Sequence, residues 1–189
     1  MVTEAVSLIN RARTSESQLA LSVNLSAWSL STGDLMRLVE EELAESGITP
    51  GLLTFELTET VAMQNIEHAR RLCHQLRELG CRIAIDDFGV GFSSFRYLKQ
   101  LPFDVLKIDG SFVQNLALDE TDQRLVRAMV DVARALGVET VAEWVTSERS
   151  LSVLRQLGVD CAQGFHIGRP IPVDEVLAAR QGGRTRLSA

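Results

Sequence analysis

Apolar positions along this chain switch repeatedly between two spacings. Val2, Ala5, Val6 and Ile9 recur at helical spacing within residues 1–13 and predict one buried face of a helix. A polar loop, Thr14–Gln18, separates it from a strand-like apolar run at Leu19–Leu25. Leu35, Leu38, Val39 and Leu43 predict the next helix, capped by Ser31 or Thr32 and stopped near Gly47 and Pro50. Further strands are predicted at Leu52–Leu57, Cys81–Asp87, Asp104–Ile108, Val138–Val145 and Val159–Gln163. Helices fall between them. One carries Ala69, Leu72, Cys73, Leu76 and Leu79, and a short one spans Ser94–Gln100. A third carries Leu125, Val126, Met129, Val130, Ala133 and Leu136, and a fourth, capped by Thr146 or Ser147, carries Leu151, Leu154 and Leu157. A last helix lies near Asp174–Ala179, and the basic tail Gln181–Ala189 is expected to fray.

Leu79-Gly80-Cys81, Leu136-Gly137-Val138 and Leu157-Gly158-Val159 each join a helix to a strand. A glycine there supplies the left-handed residue that ends a helix. Strand starts lie 21–34 residues apart, which suits repeated βα units and a parallel sheet.

Polar residues sit at or near the carboxyl ends of the predicted strands: Asn24, Glu56, Asp86 with Asp87, Lys107, Glu143 and Gln163. At the centre, Ile83–Ile85 stops at the adjacent acids Asp86 and Asp87, and Gly89, Gly91, Ser93 and Ser94 follow. Adjacent carboxylates repel and call for a positive neighbour. In a (β/α) barrel the strand ends converge on one face, so these residues would meet. Their oxygen donors suit Mg²⁺ or Mn²⁺ rather than zinc. The alternative is a barrel whose polar strand ends are merely solvated.

Composition narrows the field only modestly. Of 189 residues 46% are hydrophobic and 23% charged, with a net charge of −6. That suits a globular domain and argues against nucleic-acid polymers and anionic membrane surfaces as partners. No apolar run is long enough to span a bilayer, and the N-terminus lacks the pattern of a signal peptide. Cys73, Cys81 and Cys161 lack zinc-like spacing and predict buried, reduced thiols of a cytoplasmic protein.

Taken in order, Asn24-Leu25-Ser26, Glu56-Leu57-Thr58-Glu59, Asp86-Asp87-Phe88-Gly89, Lys107-Ile108-Asp109, Ala142-Glu143 and Gln163-Gly164 with Arg169-Pro170 resemble the signature of EAL domains, bacterial cyclic-di-GMP phosphodiesterases. The resemblance implies an α/β, TIM-barrel-like fold over residues 1–180, with 181–189 as a flexible tail. It implies hydrolysis of cyclic-di-GMP to linear pGpG with two Mg²⁺ or Mn²⁺ ions. Asn24, Glu56 and Asp86 would hold one ion, and Asp86 and Asp87 the other. Glu143 would sit at the second ion and handle the attacking water. Lys107 would polarise that water or neutralise phosphate charge, and Gln163 would orient the site. Glu59 would anchor the loop Phe88–Ser94 and so link the site to dimerisation.

The chain departs from this pattern in several places. The Glu-Ala-Leu motif that names the family, with its metal-binding Glu and the ligand-gripping Arg after it, would precede residue 1. Glu4-Ala5-Val6 is no substitute, because it lies in a helix-periodic segment only 20 residues before Asn24. About six of eight barrel strands are therefore expected, with exposed sheet edges that seek a partner. A homodimer or an upstream signalling domain would cover them. The chain by itself is expected to be inactive or very weak. The alternative is a non-catalytic module that binds cyclic-di-GMP or another protein. An unrelated barrel enzyme with carboxylate-bound Mg²⁺ and a catalytic Lys fits the ordered motifs poorly. Trp144 stands where the family usually has Gly, and Gly110 where it often has Arg. Trp144 is expected to pack in the core rather than to narrow the pocket. His68 and His74 are expected to face solvent, and His166 to be packed or exposed rather than to meet ligand.

Overall fold

The structure is a computed structural model that describes residues 1–13, 18–27, 34–91 and 98–181. Six strands form one sheet in sequence order, all parallel: β1 (Leu21–Leu25), β2 (Leu53–Thr58), β3 (Arg82–Phe88), β4 (Val105–Ile108), β5 (Glu139–Ala142) and β6 (Cys161–Ala162). Seven helices are described: α1 (Val2–Arg11), α2 (Asp34–Ser46), α3 (Glu59–Gln64), α4 (Ile66–Glu78), α5 (Glu120–Leu136), α6 (Glu148–Leu157) and α7 (Val173–Gln181). The fold is thus the α/β, parallel-sheet arrangement the periodicity predicts. Among the described residues β1 and β6 are outer strands, each paired on one side only.

The core lies between the sheet and its helices. On β2 the residues Leu53, Phe55 and Leu57 are fully buried, while Thr54 and Thr58 are only partly covered, the alternation expected of successive strand residues. The same buried cluster includes Val2, Val6 and Ile9 of α1, Leu72 and Leu76 of α4, and Val126 and Val130 of α5. Each fully buried Leu or Phe contributes about 1.5–3 kcal/mol relative to exposure, so this layer fixes where the strand ends fall.

The repeated Leu-Gly junctions are helix stops of one design. Gly80, Gly137 and Gly158 have φ of 87°, 70° and 82°. The amide after each donates back into the helix: Cys81 to Leu76 O, Val138 to Ala133 O and Val159 to Leu154 O, at 3.0–3.1 Å. The following residue then enters β3, or leads within three residues into β5 and β6. Helix starts are equally local: the carboxylate of Asp119 accepts from the amides of Thr121 and Asp122, and the hydroxyl of Ser147 accepts from Ser150 N–H.

Several expectations change. The strand predicted at Val138–Val145 ends at Ala142, and β6 has two residues instead of five. Glu143 and Gln163 therefore stand on the loops just beyond their strands, where hydrogen bonds between Ala142–Val145 and Gln163–His166 hold them. A short helix, α3, precedes the predicted Ala69–Leu79 helix, because Thr58 caps it directly at the end of β2. Leu38 and Leu125 lie outside the core, one turn face away from Val39 and Val126. Cys73 and Cys81 are buried as expected, but Cys161 is exposed because β6 is an edge. His68 is half-buried and His74 exposed. The caps Ser31 and Thr32, the core of the Thr14–Gln18 loop, most of Ser94–Gln100 and the tail after Gln181 lie outside the described residues. No described helix is long and apolar enough to cross a membrane.

Candidate active site at the carboxyl ends of the strands

The register of β1, β2 and β3 aligns Asn24, Glu56 and Ala84 in one row across the sheet. From β4, Lys107 reaches into the same end. Its ammonium is buried and contacts three carboxylates: Glu56 Oε2 at 2.8 Å, Asp86 Oδ1 at 2.8 Å and Glu143 Oε1 at 2.9 Å. Strands β2, β3 and β4 and the end of β5 thus meet on one side chain.

Asp86 and Asp87 should point to opposite faces of a regular strand. They do not, because β3 carries one extra residue against β4. Ile85 pairs with Leu106, but Phe88 pairs with Ile108. Asp87 takes a left-handed backbone, φ 54°, as bulged residues can. Ligand oxygens of Asp86, Asp87 and Glu143 consequently all lie within 4.8 Å of one another.

The electrostatics follow from this crowding. Burial raises the Glu143 carboxyl above its ordinary value, and the charges of Asp86 and Asp87 add to the rise against the opposing pull of Lys107. Desolvation and then the neighbouring Asp86 and Asp109 raise Asp87. Burial disfavours the Lys107 ammonium, yet its bonds to Asp86, Glu56 and Glu143 outweigh that and hold the group protonated well above the ordinary lysine range. Three carboxylates on one ammonium, with Asp87 beside them, leave an excess of negative charge. An all-oxygen donor group in that state fits a hard divalent cation. Asp86, Asp87 and Glu143 form the compact donor group, with Glu56 joined to it through the shared Lys107 ammonium and Asn24 exposed on the outer strand β1.

Glu59 is buried at the first position of α3, and its Oε2 accepts from Gly89 N–H at 2.8 Å. Its Oε1 has no hydrogen-bond partner among the described residues and lies under Gly91, where an added Cβ would come within 3.0 Å of it. Phe92–Ser94 of the predicted loop lie outside the described residues. Gln163 is exposed, with its backbone tied to Ala142 O and Val145 N. His166 accompanies Glu148 at 3.1 Å rather than the carboxylate cluster.

Trp144 corrects an expectation, because it is not in the core. It is 60% exposed, has φ 55°, and lies across Gly110. With Glu143, Thr146, Gln163, Gly164 and Phe165 it lines a cavity of about 480 Å³. Sequence reasoning missed this cavity. Its only signals were two large aromatics immediately after functional strand ends, Trp144 after Glu143 and Phe165 two residues after Gln163.

Comparison with known proteins places these features in context. The EAL domain family model matches residues 1–170. The cyclic di-GMP phosphodiesterase PdeB of Shewanella oneidensis is 42% identical over 153 residues, covering 81% of this chain and 18% of PdeB. The solved EAL domain of Mycobacterium smegmatis DcpA superposes with a TM-score of 0.89 at 36% identity, covering 97% of this chain and 83% of that one. The PaMucR phosphodiesterase, solved as a c-di-GMP complex, gives 0.86 at 36% identity and covers 93% and 71%. The chain spans about a fifth of the length of the curated relatives it matches.

Proposed function

The chain belongs to the EAL domain family, and from that premise we propose that it carries the metal- and lysine-bearing face of a site for hydrolysis of cyclic-di-GMP to linear pGpG. The observation that carries this proposal is the junction at Lys107, where Glu56, Asp86 and Glu143 converge beside Asp87. Relatives named as phosphodiesterases and a relative solved with c-di-GMP support it.

Asp86, Asp87 and Glu143 would hold one divalent ion, Mg²⁺ or Mn²⁺, and Asn24, Glu56 and Asp86 a second. Bound ions of this kind acidify a water and neutralise phosphate charge. Glu143, held above its ordinary pKa beside Lys107, is suited to take a proton from the attacking water. Lys107 would orient that water or meet the phosphate oxygen as charge builds there. Gln163 would orient the ligand at the cavity rim, and Glu59 would hold the Phe88–Gly91 turn against the site. The proposed domain is residues 1–180, with 181–189 as a tail. It would act in the cytoplasm and pair through its sheet edges with a second copy or an upstream signalling domain.

One observation favours a weaker version for the 189 residues alone. Glu56 lies outside the compact oxygen group of Asp86, Asp87 and Glu143, and Asn24 stands exposed on a strand that is outermost among the described residues, so the second ion would be poorly held. This favours binding of cyclic-di-GMP with slow or no turnover. Calorimetric titration of cyclic-di-GMP with Ca²⁺ present, followed by a pGpG assay with Mg²⁺ or Mn²⁺, is the test. Saturable binding is expected, with any turnover removed in Glu143→Gln. Absence of binding, or turnover unchanged in that variant, would overturn the proposal.

A further inference from the structure

Trp144 is held in a position that packing alone does not explain. A left-handed backbone is unfavourable for a bulky side chain, and such strain concentrates at functional sites. Here the strained residue is 60% exposed and turned toward a cavity. Room for it comes from Gly110, where a Cβ would lie 2.7 Å from Trp144 Cδ1 and 2.8 Å from its Cβ. Phe165, also 60% exposed, lines the same cavity, and the Arg169 guanidinium lies over its ring at 4.8 Å. Two backbone bonds seat the Phe165 turn on the Trp144 loop: Val145 N–H donates to Gln163 O and His166 N–H to Val145 O, both at 3.0 Å. Gly164 lets the turn approach, since any Cβ there would run into the Val145 backbone.

The cavity therefore has aromatic walls, and its floor includes Glu143 of the carboxylate–lysine cluster. At about 480 Å³ it is within the range of small-molecule sites. A ligand fitting both parts has a flat aromatic group on one end and a phosphate on the other. Resting on the phosphodiesterase reading above, we propose that Trp144 is a specificity-determining residue that stacks a purine base of the phosphodiester ligand, with Phe165 as the facing wall. Stacking on an aromatic side chain needs only a π-face and strengthens binding through a group remote from the reacting phosphorus.

The test compares the full chain with Trp144→Ala, Trp144→Phe and Trp144→Gly. Three quantities are read: Mn²⁺ affinity, cyclic-di-GMP affinity with Ca²⁺ present, and Tm. Trp144→Ala is expected to weaken cyclic-di-GMP about 5- to 50-fold while leaving Mn²⁺ affinity within about twofold, and Trp144→Phe should recover most of the loss. Trp144→Gly should weaken the ligand equally, yet keep or raise Tm, because glycine relieves the left-handed backbone. Unchanged cyclic-di-GMP affinity in Trp144→Ala overturns the stacking role and leaves the phosphodiesterase reading standing. A fall in Tm and Mn²⁺ affinity in all three variants makes Trp144 a structural residue and overturns the proposal. A wild-type chain that binds Mn²⁺ but no cyclic-di-GMP overturns both.

Discussion

Gly110 is bare where Trp144 needs room. A methyl group on Gly110 would come within 2.8 Å of Trp144 Cβ. Rotating the Trp side chain cannot clear it, because Cβ moves only with the backbone. The pair is complementary in size, the smallest residue type facing the largest.

Gly110→Ala should therefore cost about 1–3 kcal/mol, the usual penalty of overpacking. The double variant Gly110→Ala/Trp144→Gly should regain most of it. Denaturant unfolding of the four proteins checks this as a double-mutant cycle, and additive losses would show that the two residues do not compete for space.

Lys107→Met should destabilise the fold by about 3–5 kcal/mol, since it leaves buried carboxylates without their cation. Added Mn²⁺ should restore part of the lost Tm in this variant by replacing the missing charge. A thermal shift with and without Mn²⁺ measures it, and a variant as stable as wild type would mean that water already screens the cluster.

Acidification should weaken divalent-ion binding early. Asp87 and Glu143 are both raised from their ordinary values of 3.8 and 4.5, so protons compete with the ion above those values. Between the ordinary and the raised values the folded state holds protons that the unfolded chain has lost, so the metal-free protein loses stability as pH rises through that window. Lys107 is raised too; its contribution is complete below its ordinary 10.5 and disappears only as pH passes its higher folded value. Asp86 raises both carboxyls, so Asp86→Asn should move the acid limb of Mn²⁺ binding to lower pH, a shift read by titrating Mn²⁺ affinity against pH.

Glu59→Ala should cost about 1–3 kcal/mol by leaving the partly buried Gly89 N–H without its carboxylate partner. Amide hydrogen exchange at Gly89–Gly91 should accelerate while exchange in β2 does not. Uniform acceleration would instead indicate general loss of packing.

Thiol labelling of the folded chain should stop at one site. Burial pushes Cys73 up to about 12 and Cys81 up to about 11, and both are inaccessible. Cys161 is also raised, by partial burial and the nearby acids Glu139 and Asp160, but it is exposed. One equivalent should react at mildly alkaline pH and three after unfolding.

Much of this protein was legible in the sequence because its signals are local. Each Leu-Gly junction ends a helix by its own backbone, and each apolar run reveals which face is buried. Those features fixed the βα order, and with it the fact that Asn24, Glu56, Lys107, Glu143 and Gln163 share one end of the sheet. The six ordered motifs carried the family. Cys161 and the lengths of β5 and β6 were less legible, because an edge strand is set by what lies beside it rather than by its own residues.

Contacts between elements decided the rest. Period-two reasoning separates Asp86 from Asp87; only the pairing of β3 with β4, one residue out of step, turns both toward Glu143. Sequence assigns Lys107 a strand end, but its three carboxylate partners come from strands up to 51 residues away in the chain. Trp144 is apolar, so composition sends it inward. The bare surface of Gly110 and the turn at Gly164 instead hold it outward at the cavity rim. Patterns within a strand or helix are written in neighbouring residues, whereas register, strain and shared space exist only once distant segments touch.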